Sequence, residues 1–170
     1  FHKLTYQIAD YMNPDAYNRN GEAYRISNIY YDTENDQLIR ASIEKPIYKE
    51  KLRLRAYGTP ELTDNVFVEI KKKYNGIVNK RRTSMTLQEA YDFIDDNMCP
   101  DGHEGRINRQ VLKEIDYFKN LQPKVYLSYD RFAYFEKDDG DFRITFDKNI
   151  TTRREDVRLE HGSYGKKLLL

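Results

Sequence analysis

The chain has 170 residues and a formal net charge of +1, with 34% of its residues charged and 14% aromatic. This length and aromatic content predict a single domain, residues 1–170, with a buried core, and exclude an intrinsically disordered chain. No apolar run reaches the roughly 20 residues that span a bilayer, and the first residues form an amphipathic helical pattern rather than a signal peptide. The single cysteine, Cys99, excludes an internal disulfide and is compatible with a cytoplasmic location.

The first third of the chain predicts a helix, a strand and a second short helix. Residues 3–12 (KLTYQIADYM) place apolar side chains on one helical face, and the Asn-Pro-Asp sequence at 13–15 should end that helix. The alternation in residues 24–33 (YRISNIYYDT) predicts a strand. Residues 34–43 (ENDQLIRASI) are compatible with one or two helical turns.

Two basic strands follow. Residues 49–58 (KEKLRLRAYG) and 66–76 (VFVEIKKKYNG) alternate apolar and charged residues, so in extended strands the charged ones share a face. Asn75-Gly76 is a strong hairpin signal and predicts that residues 77–82 (IVNKRR) fold back beside that face. The residues of this face are Lys51, Arg53 and Arg55 on the first strand, Glu69, Lys71 and Lys73 on the second, and Lys80 and Arg82 on the third.

The second half of the chain predicts two helices and another hairpin. Thr86 and Glu89 have the spacing of a capping box, which marks the start of a helix. A second amphipathic pattern follows, and then two alternating segments typical of strands. The order of elements favours an α+β fold with a mostly antiparallel sheet. The predicted helices are residues 87–96 and 107–121, and the predicted strands are residues 124–136 and 142–150, joined by a turn at 137–141.

The basic residues are concentrated in one segment. Residues 45–82 contain eleven basic and four acidic residues, so this segment carries +7 and the rest of the chain −6. Such a local excess attracts anions although the whole chain is close to neutral. The other faces of the basic strands are apolar, so one face should meet a core. The basic face is compatible with a solvated outer surface or with the lining of an enclosed space.

The mixture of arginine and lysine suits a ligand with several phosphates. Arginine pairs bidentately with phosphate oxygens, and lysine adds a mobile charge. Glu69, on the same face, is a candidate either to hold a divalent metal or to orient Lys71. Arg131 and Arg143, on the second predicted hairpin, are candidates for additional cations.

Other functional classes have weaker support in the sequence. It has neither a Walker loop nor a G-x-G-x-x-G motif after a strand. Its histidines (His2, His103 and His161) lie in unrelated contexts, and Cys99 has no base nearby in sequence, which disfavours a histidine metal site and a cysteine nucleophile. Basic strands with tyrosines also suit single-stranded nucleic acid. Most of these tyrosines adjoin apolar positions and are expected in the core, so we expect no nucleic-acid partner.

Four segments, in this order and at these separations, resemble the VTC domain, the polyphosphate polymerase domain of vacuolar transporter chaperone proteins and their bacterial relatives. That family belongs to the triphosphate tunnel metalloenzymes, together with the CYTH-type phosphatases. The resemblance covers residues 24–147, and R-x-R-x-Y followed by V-E-x-K and K-R-R is its most specific series. The segments are YRISNIYYDT (24–33), KLRLRAYG (51–58), VFVEIKKKYNGIVNKRR (66–82) and YLSYDRFAYF (126–135).

The resemblance implies a sheet curled into a β-tunnel with flanking helices. It implies ATP as phosphoryl donor, a growing polyphosphate chain as acceptor, and Mn²⁺ or Mg²⁺ as cofactor. Family members usually carry a further strand at each end, so a tunnel lacking a terminal strand at each end is expected here. The candidate catalytic residues are Arg53, Arg55, Lys71, Lys80 and Arg131, the candidate substrate-binding residues are Lys51, Lys73, Arg82, Tyr129 and Arg143, and the candidate metal ligand is Glu69.

Several alternatives stay open at this point. A triphosphatase on the same scaffold would pass the phosphoryl group to water, and a non-catalytic domain would bind polyphosphate or inositol phosphates without turnover. A nucleic-acid binder is the third alternative, and it would show a steep dependence on salt. Phosphate handling requires the cationic side chains to converge on one space, whereas a solvated outer face requires them to point into water.

Overall fold

The computed structural model describes residues 2–18, 20–44, 47–118, 120–138 and 142–168. None of the helices in these ranges is long and apolar enough to cross a membrane. In chain order the elements are α1 (His2–Ile8), β1 (Met12–Pro14), a 3₁₀ turn (Ala16–Asn18), β2 (Tyr24–Asp32), α2 (Gln37–Ile43), β3 (Tyr48–Tyr57), β4 (Asn65–Tyr74), β5 (Ile77–Thr86), α3 (Leu87–Asp95), α4 (Arg106–Phe118), β6 (Gln122–Glu136), β7 (Arg143–Arg153) and β8 (Lys166–Lys167).

The described strands form one sheet in the order β5-β4-β3-β2-β6-β7-β8, and β1 pairs with β6. All of these neighbours are antiparallel. The expected α+β fold, a mostly antiparallel sheet with flanking helices, is therefore confirmed. Over the described residues the sheet is not closed into a barrel, because β5 and β8 are its two ends. It curves enough for side chains from β2 to β7 to line a common cavity.

The predicted hairpin between β4 and β5 is confirmed. Asn75 and Gly76 both have positive φ angles, 44° and 85°, as the two central residues of a type I′ turn require. The tight turn fixes the register, which places Glu69 opposite Arg82 and Lys71 opposite Lys80. Lys80 and Arg82 of β5 therefore stand on the same sheet face as Glu69 and Lys71 of β4.

The other face of β3 and β4 meets the hydrophobic core. Leu54, Val66 and Val68 are fully buried there, and α3 and α4 pack against them with side chains that include Phe93 and Val111. The predicted capping box begins α3: the Thr86 hydroxyl accepts a hydrogen bond from the Glu89 amide at 3.3 Å, and the Glu89 carboxylate accepts one from the Thr86 amide at 2.8 Å.

The prediction for the first helix was only half right. Helix α1 is present but ends at Ile8, and residues 12–14 form β1 instead of the last helical turn. Met12 is buried and pairs with Glu136 on β6, whereas Leu4 and Tyr11, expected on the buried helical face, are exposed. Backbone pairing with a distant strand outweighs the local helical pattern here.

A charged cluster holds α4 to β3 and β4 at the edge of the core. The Lys72 ammonium contacts the Glu114 carboxylate and lies 3.7 Å from that of Glu50. The Tyr48 hydroxyl donates a hydrogen bond to Glu50 at 3.0 Å. Burial, followed by a hydrogen bond to Glu114 and the charge of Glu114, raises the pKa of Glu50 to about 7. The buried carboxyl therefore holds its proton more tightly in the folded chain than in the unfolded one.

This raised pKa predicts a pH dependence of stability. The folded chain loses stability as the pH rises from about 4.5 to about 7, because the unfolded chain releases the Glu50 proton first. We expect Glu50→Gln to melt about 3 °C or more above the unchanged chain at pH 8, and close to it at pH 5. Thermal melts at the two pH values, with the exposed Glu155→Gln as control, measure this difference. A Glu50→Gln effect that is equal at both pH values would contradict the prediction.

Candidate functional site

Alternate residues of neighbouring strands line one cavity of about 760 Å³ on the concave face of the sheet, here called the basic cavity. The strand period of two residues puts alternate charged side chains of β3, β4 and β5 on this face, whereas Glu50, Lys72 and Arg81 have the other parity and contact each other or α4. All eleven site residues predicted from the sequence line it. The structure adds Tyr30, Lys49 and Val78, which the predictions did not include, and Ile70 and Arg81 also border the cavity although Ile70 belongs to the core and Arg81 bonds Gln110 on α4.

Three lysines stand side by side across the floor of the basic cavity. Lys51 on β3 is the register partner of Lys71 on β4, which is in turn opposite Lys80 on β5. We call these three residues the lysine rung. None of them makes an ion pair within the described residues. Like charges directly opposite each other destabilise a sheet, so this arrangement favours an anion as the missing partner.

Glu69 lies in the next rung, between two arginines. Its carboxylate accepts a hydrogen bond from Arg53 Nε at 2.5 Å and another from Arg82 Nε at 2.7 Å. Burial alone would raise the pKa of Glu69, but the charges of Arg53 and Arg55 and these hydrogen bonds outweigh burial and lower it. The structure thus pairs Glu69 with arginines on the flanking strands and not with Lys71, because directly opposite side chains are closer than those two residues apart on one strand.

Arg55 is buried and held in place by neutral groups. Its Nε donates a hydrogen bond to Asn28 Oδ1 at 2.9 Å, and its Nη2 donates one to the Tyr129 hydroxyl at 3.2 Å. The Asn28 amide group in turn donates to the Leu127 carbonyl at 3.1 Å, which fixes the orientation of Asn28. Arg55 makes no ion pair with any described residue, although its charge acts on the Glu69 carboxylate from a longer distance. The guanidinium is held ready for an anion.

The wall of the basic cavity formed by β6 and β7 carries arginines that already have carboxylate partners. Arg131 makes a bidentate pair with Asp147, at 2.7 and 2.8 Å, and the hydrogen bond to Asp147 raises the pKa of Arg131. Arg143 lies 3.3 Å from the carboxylate of Asp15. Tyr129 stands between this wall and Arg55, with the Arg131 guanidinium 5.0 Å from its ring centre.

The described residues do not form a site that would hold Mn²⁺ or Mg²⁺ with protein ligands alone. Within the described ranges, no group of three or more histidine, cysteine, aspartate and glutamate side chains is placed to hold a metal ion. Glu69 is the one carboxylate among the described residues that line the basic cavity, and both of its oxygens accept hydrogen bonds from arginines. Mg²⁺ can also be held by few protein ligands together with water and substrate phosphates.

Comparisons with known proteins found a matching family model and a similar curated protein. A family model of the VTC domain matches residues 1–169. Vacuolar transporter chaperone complex subunit 4 of Schizosaccharomyces pombe is 28% identical over a 193-residue alignment that covers 98% of this chain and 26% of the relative. The chain therefore spans about a quarter of that relative's length.

Two solved structures are also similar. One is a "putative adenylate cyclase" of Bacillus halodurans, with a TM-score of 0.49 and 17% identity over 86% of this chain and 72% of that one. The other is a "putative adenylyl cyclase" of Hippeastrum with a dominant triphosphatase activity, with a TM-score of 0.41 and 12% identity over 78% of this chain and 64% of that one.

Proposed function

The chain belongs to the VTC domain family, and on that premise we propose that it is a polyphosphate polymerase that uses ATP in the basic cavity. The terminal oxygen of a polyphosphate chain bonds to the γ-phosphorus of ATP as the bond from that phosphorus to the bridging oxygen breaks, and ADP leaves. The observation that carries the proposal is the lysine rung, three opposed cations without a carboxylate partner among the described residues. A chain of linked phosphates supplies the charge that this rung lacks.

The proposed roles follow from the surroundings of each side chain. Arg55, held by Asn28 and Tyr129, grips one phosphate with a fixed fork, while Arg53 is aimed by Glu69. Glu69 is proposed as a positioning residue for arginines. The proposed phosphate-gripping residues are Arg53, Arg55, Lys71, Lys80 and Arg131, and Lys51, Lys73, Arg82, Tyr129 and Arg143 are proposed to contact the rest of the substrate.

Phosphoryl transfer asks little covalent chemistry of a protein. The three-dimensional alignment of donor and acceptor and the neutralisation of their charges provide most of the rate increase. The basic cavity has residues for both tasks. Mn²⁺ or Mg²⁺, which the family implies, enters this proposal as a companion of the nucleotide. We also propose a cytoplasmic location, which the single cysteine supports.

A second candidate is a domain that binds polyphosphate without turnover. The engagement of Glu69 with two arginines favours this candidate over a triphosphatase, since the described lining then offers no free carboxylate as a general base. The same observation disfavours a triphosphatase, which has to activate water. A polymerase needs no such base, because its acceptor is already an anionic phosphate oxygen.

Product analysis separates these candidates. The chain is incubated with ATP and Mn²⁺, and the products are resolved by gel electrophoresis with a stain for polyphosphate and by an assay for free phosphate. We expect long polyphosphate chains and ADP. Free phosphate without chains would indicate a triphosphatase, and tight ATP binding without either product would indicate the binding domain. The exposed Arg109→Ala variant on α4 is the control that should keep full activity.

A further inference from the structure

The basic face of the sheet ends in a cluster of aromatic rings. Tyr57 lies two residues beyond Arg55 on β3, and Phe67 lies two residues before Glu69 on β4, so both are on the cavity side. Tyr24 on β2 and Tyr17 on the 3₁₀ turn join them. The ring centre of Tyr17 lies 5.6 Å from that of Tyr24 and 6.2 Å from that of Tyr57. The ring centres of Tyr57 and Phe67 are 5.8 Å apart. These four rings are called the aromatic cluster.

Much of the aromatic cluster is open to solvent. Tyr17 is 73% exposed and Tyr57 47% exposed, and their rings are almost parallel, with an angle of 9° between the planes. Rings that served only the core would be covered by other side chains. A flat, exposed aromatic surface at the edge of a charged cavity is the kind of surface on which a planar ligand stacks.

Direct contacts join the aromatic cluster to the cations of the basic cavity. The Arg82 guanidinium lies 4.5 Å from the Phe67 ring centre while it also bonds Glu69. Arg143 donates a hydrogen bond to the Tyr24 hydroxyl at 3.4 Å. Residues i and i+2 of a strand lie about 7 Å apart. A phosphate bound by Arg55 is therefore separated from Tyr57 by no more than the length of one nucleoside.

The opposite end of the basic face has a different chemistry. It is formed by Lys49, Lys73 and Val78, which are register neighbours across β3, β4 and β5. The tyrosines near this end, Tyr48 and Tyr74, fall on the other parity of their strands and line the space beside α4 instead. The basic face therefore runs from an aromatic end to a lysine end.

We propose that the aromatic cluster is a nucleobase-binding site, on which the base of the nucleoside triphosphate stacks against Tyr17 and its neighbours. This inference rests on the proposed function and adds a direction to it. The base lies at the aromatic end. The triphosphate crosses first the rung of Arg53, Glu69 and Arg82 and then the lysine rung, and the acceptor chain approaches from the lysine end. Tyr17 and Tyr57 bind the base of the donor, whereas the arginines and lysines bind its phosphates.

The test compares ATP with inorganic tripolyphosphate, which has no base, by titration calorimetry. Tyr17→Ala is expected to weaken ATP binding about tenfold, the usual loss for one base–aromatic stack, and to leave tripolyphosphate binding unchanged. Tyr17→Phe, which keeps the ring, should bind both ligands like the unchanged chain. Tyr117→Ala is the matched control, since Tyr117 is 75% exposed on α4. Tyr57→Leu provides a second variant that should lose more affinity for ATP than for tripolyphosphate, although Tyr57 also interacts with Arg82.

Two outcomes would overturn the nucleobase site alone: ATP affinity that is unaffected in both Tyr17→Ala and Tyr57→Leu, or equal losses for ATP and tripolyphosphate. The second outcome would mean that the rings only support the arginines. If the unchanged chain binds neither ligand, the proposed function itself is wrong, and the nucleobase site falls with it. Binding of the two ligands by the unchanged chain thus tests the proposed function, and the tyrosine variants test the nucleobase site.

Discussion

Replacing Arg55 with alanine is expected to weaken the binding of inorganic tripolyphosphate about a hundredfold. Arg55 is a buried cation that makes no ion pair with a described residue, and its guanidinium is fixed by Asn28 and Tyr129. A hydrogen bond to a charged group contributes up to about 3 kcal/mol, which corresponds to about two orders of magnitude in affinity. Arg55→Lys keeps the charge but loses the fork, so we expect it to lose about tenfold.

Titration calorimetry with tripolyphosphate measures both variants. The control is Arg109→Ala, which removes an exposed arginine from α4 on the other face of the sheet. Because Arg55→Ala also leaves Asn28 Oδ1 without its donor, a melting curve of each variant is needed to establish that the compared chains are folded. A loss below about threefold in folded Arg55→Ala would mean that Arg55 is a structural cation, contrary to the proposed role.

The second large effect concerns thermal stability. Tripolyphosphate at about a hundred times its dissociation constant should raise the melting temperature by about 5–10 °C, since a ligand that binds only the folded chain adds about 2.7 kcal/mol of stability. The lysine rung gives this effect a distinctive signature. Lys71→Ala removes the central cation, so it should raise the melting temperature of the ligand-free chain and reduce the shift that tripolyphosphate produces.

These opposite changes distinguish an anion site from a generally charged surface. Differential scanning fluorimetry at low salt measures them, and Lys113→Ala on the exposed side of α4 is the control that should change neither value. High salt should reduce the shift, because phosphate binding by lysine is screened. If Lys71→Ala melts earlier without ligand and keeps the full shift, the lysine rung is not the phosphate site.

The parts of the fold that depend on local patterns could be predicted from the sequence. The period of two in β3 and β4 placed most of their cations on one face, with Lys72 on the other. The Asn75-Gly76 turn then set the register of β5, so the convergence of these strands followed from local rules. The capping box at Thr86 likewise marked the start of α3. Lys49 continues the alternation of β3 and was identifiable as part of the site by the same reasoning.

Other parts depend on contacts between distant residues, which carry no local signal. Strand β1 exists because its backbone pairs with β6, more than a hundred residues away. The segment after β7 has no clear periodicity, and its shape depends on Arg153, whose guanidinium donates hydrogen bonds to the carbonyls of Asp156, Arg158, Gly162 and Tyr164. The support of Arg55 by Asn28 is of the same kind, since the sequence around a polar residue in a strand does not indicate which distant side chain it contacts. The turn predicted at 137–141 lies partly outside the described residues.

Some arginines of the basic cavity have carboxylate partners and others do not, so we expect its occupancy to depend on the length of the anion. An anion that reaches Arg131 has to replace the two-point contact with Asp147, whereas Arg55 and the lysine rung hold no carboxylate among the described residues. We expect a small anion to gain too little from such an exchange and to stay on the β3–β5 wall. A long chain, once tethered there, presents its further phosphates to Arg131 at high local concentration. We therefore expect the occupancy of the β6–β7 wall to rise with the number of linked phosphates.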